Sequence, residues 1–518
     1  MELNLIKILS KKFSSRLYPA MFGDLAISIL TELSSQAGYA AKAYMPTVTS
    51  RNPLKTDIDI ENLVITKESI FGFSCNVGNI KDSVQLARQI KSKNQNSTIL
   101  FGGPHFDEIN SKVILRENPF IDYIFIGPAE QNFAKFLTRK DSQQSITGLV
   151  SRTGNAEPVC AKIEYEVQER FPFQDSIERF DKEDRKKFTI PIQTSFGCNG
   201  FCTFCYRPFK GWHGMPAEQV IEKFEFYIRN GFTKFLIVDD NFIGTDLERA
   251  RKIAEGLHAL KQKHQAISFE FDARADSFGR YDKNCFEHEL IEKLIAAGLR
   301  KIFVGIESGN GTDLRLLRKF PANIDPVKQN IYFLENMKQH RVSIAPGFIM
   351  LTEDSDLDSV INNIKFIATY LPPQISPEIY WYQLSYYPGS ELTKKKIAEL
   401  ESKGDSKGIS EIVYGQYIPK YKNSFAQQFS AILEKVKTRF RTLDDQLDYA
   451  RIEETIKGDT FRAAHTYYFM KYAEYASKQD VLSADALINE HYEEILKIIF
   501  GATKPAFVKI RRTYNGRQ

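Results

Sequence analysis

The stretch QTSFGCNGFCTFCYRPF, residues 193–209, puts Cys198, Cys202 and Cys205 within eight positions, half of the chain's six cysteines. Three readings compete, and the crowding of half the cysteines into eight positions weighs against the first, chance clustering of structural cysteines. A structural zinc site takes four ligands and favours paired C-x2-C knuckles; the fourth donor on offer here is His213. An iron–sulfur cluster held by three thiolates instead leaves one iron open for a ligand. An open coordination position marks a metal that does chemistry, as in catalytic zinc sites. Cys75, Cys160 and Cys285 stand alone and read as small buried hydrophobes.

Outward from the triplet, strand-like and helix-like segments alternate. FTIPIQT precedes it, and KFLIVDD, ISFEFDAR, KIFVGIES, SIAPGFIM and EIYWYQLSYY follow. The segments between have helical period: Leu247, Ala250, Ile253, Leu257 and Leu260 share a face. Pro216 opens one helix and Gly231 closes it, and Asp325-Pro326 is a cap and first-turn pair. Six β/α units over residues 188–394 predict a parallel barrel or partial TIM barrel, with its site at the carboxyl ends of the strands.

Residues 1–140 alternate in the same way: LIKIL, GDLAISILTELSSQAGY, AAKAYMP, SIFGFSC, KDSVQLARQIKSK, STILFGGP, YIFIGPAE and QNFAKFL. This predicts a Rossmann-like α/β domain with a parallel sheet. Glycines follow three of its strands, in GFSCNVGN, FGGPH and FIGPAE. One such glycine makes a turn; three at equivalent strand ends suggest a platform where a ligand meets the backbone. Residues 141–187, polar and broken by TGLVSRTGNAEP and DKEDRKK, read as a hairpin and linker. Residues 395–518 lose the strand signal, and FAQQFSAILEKVKTRF, FRAAHTYYFMKYAEYA and ALINEHYEEILKIIF read as helices of a substrate or lid domain.

The chain has 518 residues, beyond the size of one core, so several domains are expected. Six cysteines are too few for a disulfide framework. A net charge of +5 with scattered Lys and Arg gives no stripe for nucleic acid. No apolar run reaches the length of a membrane span, and MELNLIKILSKKF has no small-residue cleavage site, which points to the cytoplasm.

C-x3-C-x2-C after the first strand of a β/α barrel resembles the radical SAM enzymes. The resemblance implies that Cys198, Cys202 and Cys205 hold a [4Fe-4S] cluster. It implies that Phe204 and Tyr206 pack on the adenine of S-adenosyl-L-methionine (SAM), and that Asp239 and Asp240 of VDDN meet its amino group. Arg274 of FDARAD, Glu307 and Ser308 of GIESG, and Phe348 of PGFIM fall at later strand ends, the fourth associated with ribose and methionine contacts. Carboxylates complement an ammonium and hydroxyls, and an aromatic flanks adenine. Each residue alone has a bland reading too: Asp239 and Asp240 as a helix cap, Glu307 as the partner of a basic side chain. The implied chemistry is one-electron cleavage of SAM on the open iron and hydrogen abstraction by a 5′-deoxyadenosyl radical. The electron comes from a donor such as flavodoxin or ferredoxin.

Beside such a barrel, the first domain resembles the cobalamin-binding domain of the B12-dependent branch. The implied contacts are Ser74, Cys75, Gly102, Gly103, Gly127 and Glu130. The last motif departs from the branch's G-E-x-E through Pro128 and Ala129. No D-x-H-x-x-G occurs, and His105 reads as a loop residue; SSRLYPAMFG, residues 14–23, is the segment expected to face the corrin. The expected activity is methylation of an unactivated carbon or phosphorus of a small-molecule or peptide substrate. Cyclisation, oxidation or ring rearrangement are the alternatives within the superfamily, and a zinc-stabilised binding protein is the alternative from another class. Methylthiotransferases fit less well, because only Cys75 lies in residues 1–150. Tyr380, Trp381, Tyr382, Tyr386 and Tyr387 form either an aromatic pocket or core.

Overall fold

Strands that bury both faces read as largely apolar runs, and SIFGFS, buried at every position, lies at the centre of a six-stranded sheet. The computed structural model describes residues 2–8, 24–44, 69–138, 146–152, 177, 181–206, 211–264, 266–372, 377–444 and 458–500, to which all structural statements here refer. They divide into two compact units: Met1–Ala273 with Glu287–Ile302 and Ser385–Tyr417, and Arg274–Phe286 with Phe303–Leu384 and Ile418–Gln518.

In the first unit, β1 (Glu2–Ile6), β2 (Ala41–Tyr44), β3 (Ser69–Ser74), β4 (Thr98–Gly102), β5 (Tyr123–Phe125) and β6 (Leu149–Ser151) form one sheet, ordered β2-β1-β3-β4-β5-β6. The first four pairings are parallel, and β6 joins β5 antiparallel. Strand alternation sorts the core. Leu3, Leu5, Ile70 and Leu100 meet Phe133 and Phe136 on one face, while Ile6, Phe71, Phe73 and Phe101 meet Ile80 and Ile90 on the other. The order 2-1-3-4-5 places the topological switch point between β1 and β3, where open α/β sheets bind ligands. One helix, Glu108–Glu117, was not anticipated. Its signal is a capping box in which Asp107 and Asn110 bond each other's backbone N–H at 2.7 and 2.8 Å.

The same unit carries β7 (Thr189–Ile192), β10 (Lys234–Ile237) and β11 (Ser268–Arg274), paired in parallel, with β14 (Leu299–Glu307) beside β11. Helices Ala217–Arg229, after the Pro216 cap, and Leu247–His264 cover it. Between β7 and β10 lies an antiparallel hairpin of β8 (Ser195–Cys198) and β9 (Gly211–Gly214), where a plain loop was expected.

In the second unit the carboxyl half of β14 lies beside β15 (Ser343–Phe348), and β12 (Gly279–Arg280) pairs with β13 (Cys285–Phe286). Asp325 caps helix Pro326–Met337 with proline in its first turn, as expected. The expected sixth strand, EIYWYQLSYY, is instead a 3-10 turn, Pro377–Tyr380, followed by a single parallel bridge from Gln383 to Leu351. Tyr380 and Trp381 turn into the packing of helices Ser424–Asp444 and Gly458–Ser477, stacking on Phe469 and tilting onto Phe440. They are core; Tyr386 is buried too, whereas Tyr382 and Tyr387 are exposed.

The expected boundary at 394/395 falls inside a segment that belongs to the first unit. Val413 lies in the first sheet's core, and Ile397, Leu400 and Ile412 cluster with Tyr386. Among the described residues no helix is long and apolar enough to cross a membrane.

Candidate cluster and cofactor site

The cysteine loop is closed at its base by the β8–β9 pairing of Cys198 with Gly211. Below that pair, Asp239 at the end of β10 accepts from Thr194 N (2.7 Å), Thr194 Oγ1 (2.6 Å) and Ser195 Oγ (2.7 Å). Arg249 reaches the same point from its helix. Its Nη2 donates to Thr194 O (2.6 Å) and Oγ1 (3.0 Å), and its Nε to Met215 O (2.6 Å), joining both strands of the hairpin. Its guanidinium lies 5.4 Å from the Trp212 ring and 5.9 Å from Phe242, a packing suited to a planar cation. Trp212 donates to Asn241 O at 2.8 Å, and Asn241 Nδ2 to Asn199 Oδ1 at 3.0 Å. Gly244, at φ +58, lies under Trp212: a Cβ there would come within 1.9 Å of the indole.

These bonds spend Asp239 on the hairpin, whereas its neighbour Asp240 is exposed. Burial raises the Asp239 carboxyl above the usual carboxylate range, against the four hydrogen bonds from Thr194 and Ser195 that lower it. Asp272 on β11, which sequence reasoning did not single out, is pushed up to about 7, first by burial and then by Asp240 and Asp239. Period-2 alternation explains its position: Glu270 and Asp272 share the face opposite the buried Phe269 and Phe271.

In the loop itself Cys198 is buried, Cys202 half-buried and Cys205 exposed. Gly200 N donates to Cys198 Sγ at 3.4 Å; amide donors to sulfur tune the potential of a cluster's thiolates. Three soft thiolates on one short loop fit an iron–sulfur cluster, which Cys198, Cys202 and Cys205 would hold. Among the described residues no group of three His, Cys, Asp or Glu converges on a single metal ion. Tyr206 lies with its ring against Gly389, where a Cβ would come within 2.2 Å, and its hydroxyl donates to Phe106 O at 3.1 Å. Leu392 N donates to Thr203 O at 2.8 Å. Phe204 is half-buried.

At the strand ends of the first sheet, Ser74 and Cys75 end β3 and Gly102 and Gly103 end β4. Cys75 is buried as a small hydrophobe, as expected, whereas Cys285, read in the same way, is exposed. The Cys75 side chain is in the core, with Sγ against Phe73 O, and burial pushes the thiol up to about 12. Only its backbone faces the strand-end loops. Gly103, at φ +107, lies so close to Cys75 that a Cβ would come within 2.6 Å of Cys75 O. Asn79 Nδ2 bridges Ile8 O (3.0 Å) and Ser74 O (3.1 Å) across the switch point. His105 is buried, its Nε2 2.8 Å from Val413 O, and burial lowers its pKa to about 4. Gly127, at φ +77, follows β5, and Glu130 begins helix Glu130–Thr138. Residues 14–23 lie outside the described residues.

In the second unit, Glu307 ends β14 with φ +67, a costly conformation for a residue with a side chain. Lys319 Nζ donates to its Oε1 at 2.9 Å, both side chains buried, and a Cβ at Gly305 would come within 2.2 Å of Oε1 and 2.4 Å of Nζ. Lys319 was invisible to sequence reasoning. Arg274 donates to Asp276 at 2.8 and 3.0 Å and to Lys319 O at 2.7 Å. Ser308 Oγ, buried, lies within hydrogen-bond distance of Asn363 Oδ1 (2.8 Å) and Asp313 Oδ2 (3.1 Å), fixing the turn after β14. Phe348 packs near Phe366, ring centroids 6.3 Å apart.

Residues 192–364 match the sequence profile of the Radical SAM superfamily. The chain carries a radical SAM domain. The domain begins at the end of β7 and includes the three cysteines, Asp240 and Glu307. The fold of the chain is similar to that of OxsB, whose structure is described as that of a cobalamin-dependent S-adenosylmethionine radical enzyme with aqua-cobalamin bound: the two align at a TM-score of 0.72 and 18% identity, over 96% of this chain and 80% of that one. An uncharacterized methyltransferase, PH0819 of Pyrococcus horikoshii, is 25% identical over 64% of this chain and 69% of its own. The cobalamin-dependent radical SAM methyltransferase TokK of Streptomyces tokunonensis is 22% identical over 39% of this chain and 32% of its own length. The resemblance read from Cys198, Cys202 and Cys205 is borne out.

Proposed function

We propose that this protein is a cobalamin-dependent radical SAM methyltransferase that methylates an unactivated carbon or phosphorus of a small-molecule or peptide substrate. The observation that carries the reading is the presence, on one chain, of a three-thiolate loop in a radical SAM domain and a 2-1-3-4-5 sheet with glycine-bearing strand ends. The methyltransferase names of two relatives, PH0819 and TokK, favour methylation.

Cys198, Cys202 and Cys205 are the cluster ligands in this reading, held by a hairpin that Asp239 and Arg249 clamp at its base. Asp240 meets the ammonium of SAM, and Glu307, pinned by Lys319, meets its ribose or methionine part. Phe204 and Tyr206 flank the adenine side, with Arg274, Ser308 and Phe348 shaping the later strand ends. The backbone of Ser74 and Cys75, with Gly102, Gly103 and Gly127 and helix Glu130–Thr138, forms the cobalamin platform. When bound, the cluster and cobalamin supply one-electron cleavage of SAM and a transferable methyl group. The chain's part is to orient them and exclude water.

The test is anaerobic turnover of reconstituted enzyme. Methyl transfer yields S-adenosylhomocysteine, 5′-deoxyadenosine and a product heavier by one methyl group. 5′-Deoxyadenosine with a product of unchanged carbon count refutes methylation and selects a cyclase, oxidase or ring-rearranging enzyme.

A further inference from the structure

Three segments of the first unit meet at one side chain. Tyr206 follows the third cysteine, and its hydroxyl donates to Phe106 O at 3.1 Å. Phe106 belongs to the loop that leaves β4 after Gly102 and Gly103. That loop is held from other directions as well. His105 bonds Val413 O at 2.8 Å, and the Asp107 carboxylate accepts from the backbone of Gly389. Gly389, at φ +83, lies on the other face of the junction, close enough to the Tyr206 ring that only a glycine fits. Leu392 N, three residues on, holds Thr203 O between the second and third cysteines at 2.8 Å.

Packing alone would be served by phenylalanine at 206. The hydroxyl adds a directional bond between the cysteine loop and the strand-end loop of the other sheet, and a hydrogen bond fixes a distance within a few tenths of an ångström. We propose that Tyr206 is a positioning residue that sets the spacing between the cluster loop and the ligand platform at the end of β4. This rests on the reading that the first sheet carries cobalamin. Transfer between two bound groups depends steeply on their separation and orientation, so a joint between their supports bears on the reaction without touching a reacting atom.

Tyr206→Phe keeps the ring on Gly389 and removes only the hydroxyl. In the cofactor-free chain, amide exchange in peptides covering residues 103–107 and 199–206 is expected to rise together, about fivefold, as one hydrogen bond is lost. Unchanged exchange in either peptide overturns the joint. In protein loaded with iron, sulfide and cobalamin, electron paramagnetic resonance of cob(II)alamin beside the reduced cluster reads their spacing. Wild-type metal content with altered spin coupling supports the proposal; unaltered coupling overturns it. Gly389→Ala, which pushes the ring from the other side and keeps the hydroxyl, must shift the same signal. A wild-type chain that takes up no cobalamin refutes the functional reading, and the exchange result then still decides whether the joint exists.

Discussion

Arg249→Met should release the hairpin that carries the cysteines while leaving its helix intact. The guanidinium is buried and makes two bonds of 2.6 Å and one of 3.0 Å across Thr194 and Met215, with Phe242 O at 3.4 Å. Methionine keeps the length of the aliphatic stem and suits the helix, so the cavity term is small. What is lost is the charged donor. Hydrogen bonds from charged groups contribute roughly 1.5–3 kcal/mol each. They share atoms here and do not add, and removing one partner of a buried charge network costs about 3–5 kcal/mol. Thr194 O and Met215 O lose their donor, and Asp239 loses the cation that favours its charged form. At about 1.4 kcal/mol per decade, amide protection across residues 194–198 and 211–215 should fall by roughly two to three orders of magnitude, down to the limit of global opening. Hydrogen exchange with mass spectrometry on the cofactor-free chain reads this directly. Lys252→Met, exposed on the same helix, is the control. Wild-type protection of the hairpin in a folded Arg249→Met protein would refute the clamp.

Other outcomes follow from the same geometry. His465 and His491 are buried with their rings joined at 3.0 Å, and burial lowers both pKa values, His465 to about 3. The unfolded chain takes up protons near pH 6.5 and the native chain does not. Stability is therefore full above that pH and falls as pH drops towards 5, by about 1.4 kcal/mol per unit for each ring; a urea midpoint equal at pH 7 and 5 contradicts this. Gly244→Ala places a methyl in the Trp212 ring and adds strain at φ +58. It should cost about 2–4 kcal/mol and shift Trp212 fluorescence in a Trp381→Phe background, whereas an unmoved spectrum sinks the packing argument. In the cofactor-free native chain, iodoacetamide at neutral pH should label exposed Cys205 and Cys285 but not Cys75, whose buried thiol is pushed up to about 12. Equal labelling on peptide mapping contradicts its burial.

Local signals carried most of the fold. The glycines after β3, β4 and β5 and the cysteine run after β7 are each legible within ten residues, because strand period and turn chemistry are local. The clamp is not. Thr194 is 45 residues from Asp239 and 55 from Arg249, and nothing in VDDN tells which aspartate turns inward; only the placement of β10 buries Asp239 and exposes Asp240. Lys319 escaped for the same reason, reaching Glu307 across a helix and loop. The aromatic run at 378–387 has strand propensity, yet tertiary packing on Phe440 and Phe469 overrides it. Tyr206 could be singled out by its place beside the third cysteine, but its bond to Phe106 could not, since that partner is 100 residues away.

The central claim is that Cys198, Cys202 and Cys205 hold a cluster with one iron open to SAM. Electron paramagnetic resonance of the anaerobically reconstituted, reduced protein, with and without SAM, tests it most directly. A [4Fe-4S] signal should appear that shifts when SAM is added and is absent from the triple cysteine-to-alanine variant. A signal indifferent to SAM, or zinc bound in place of iron, contradicts it.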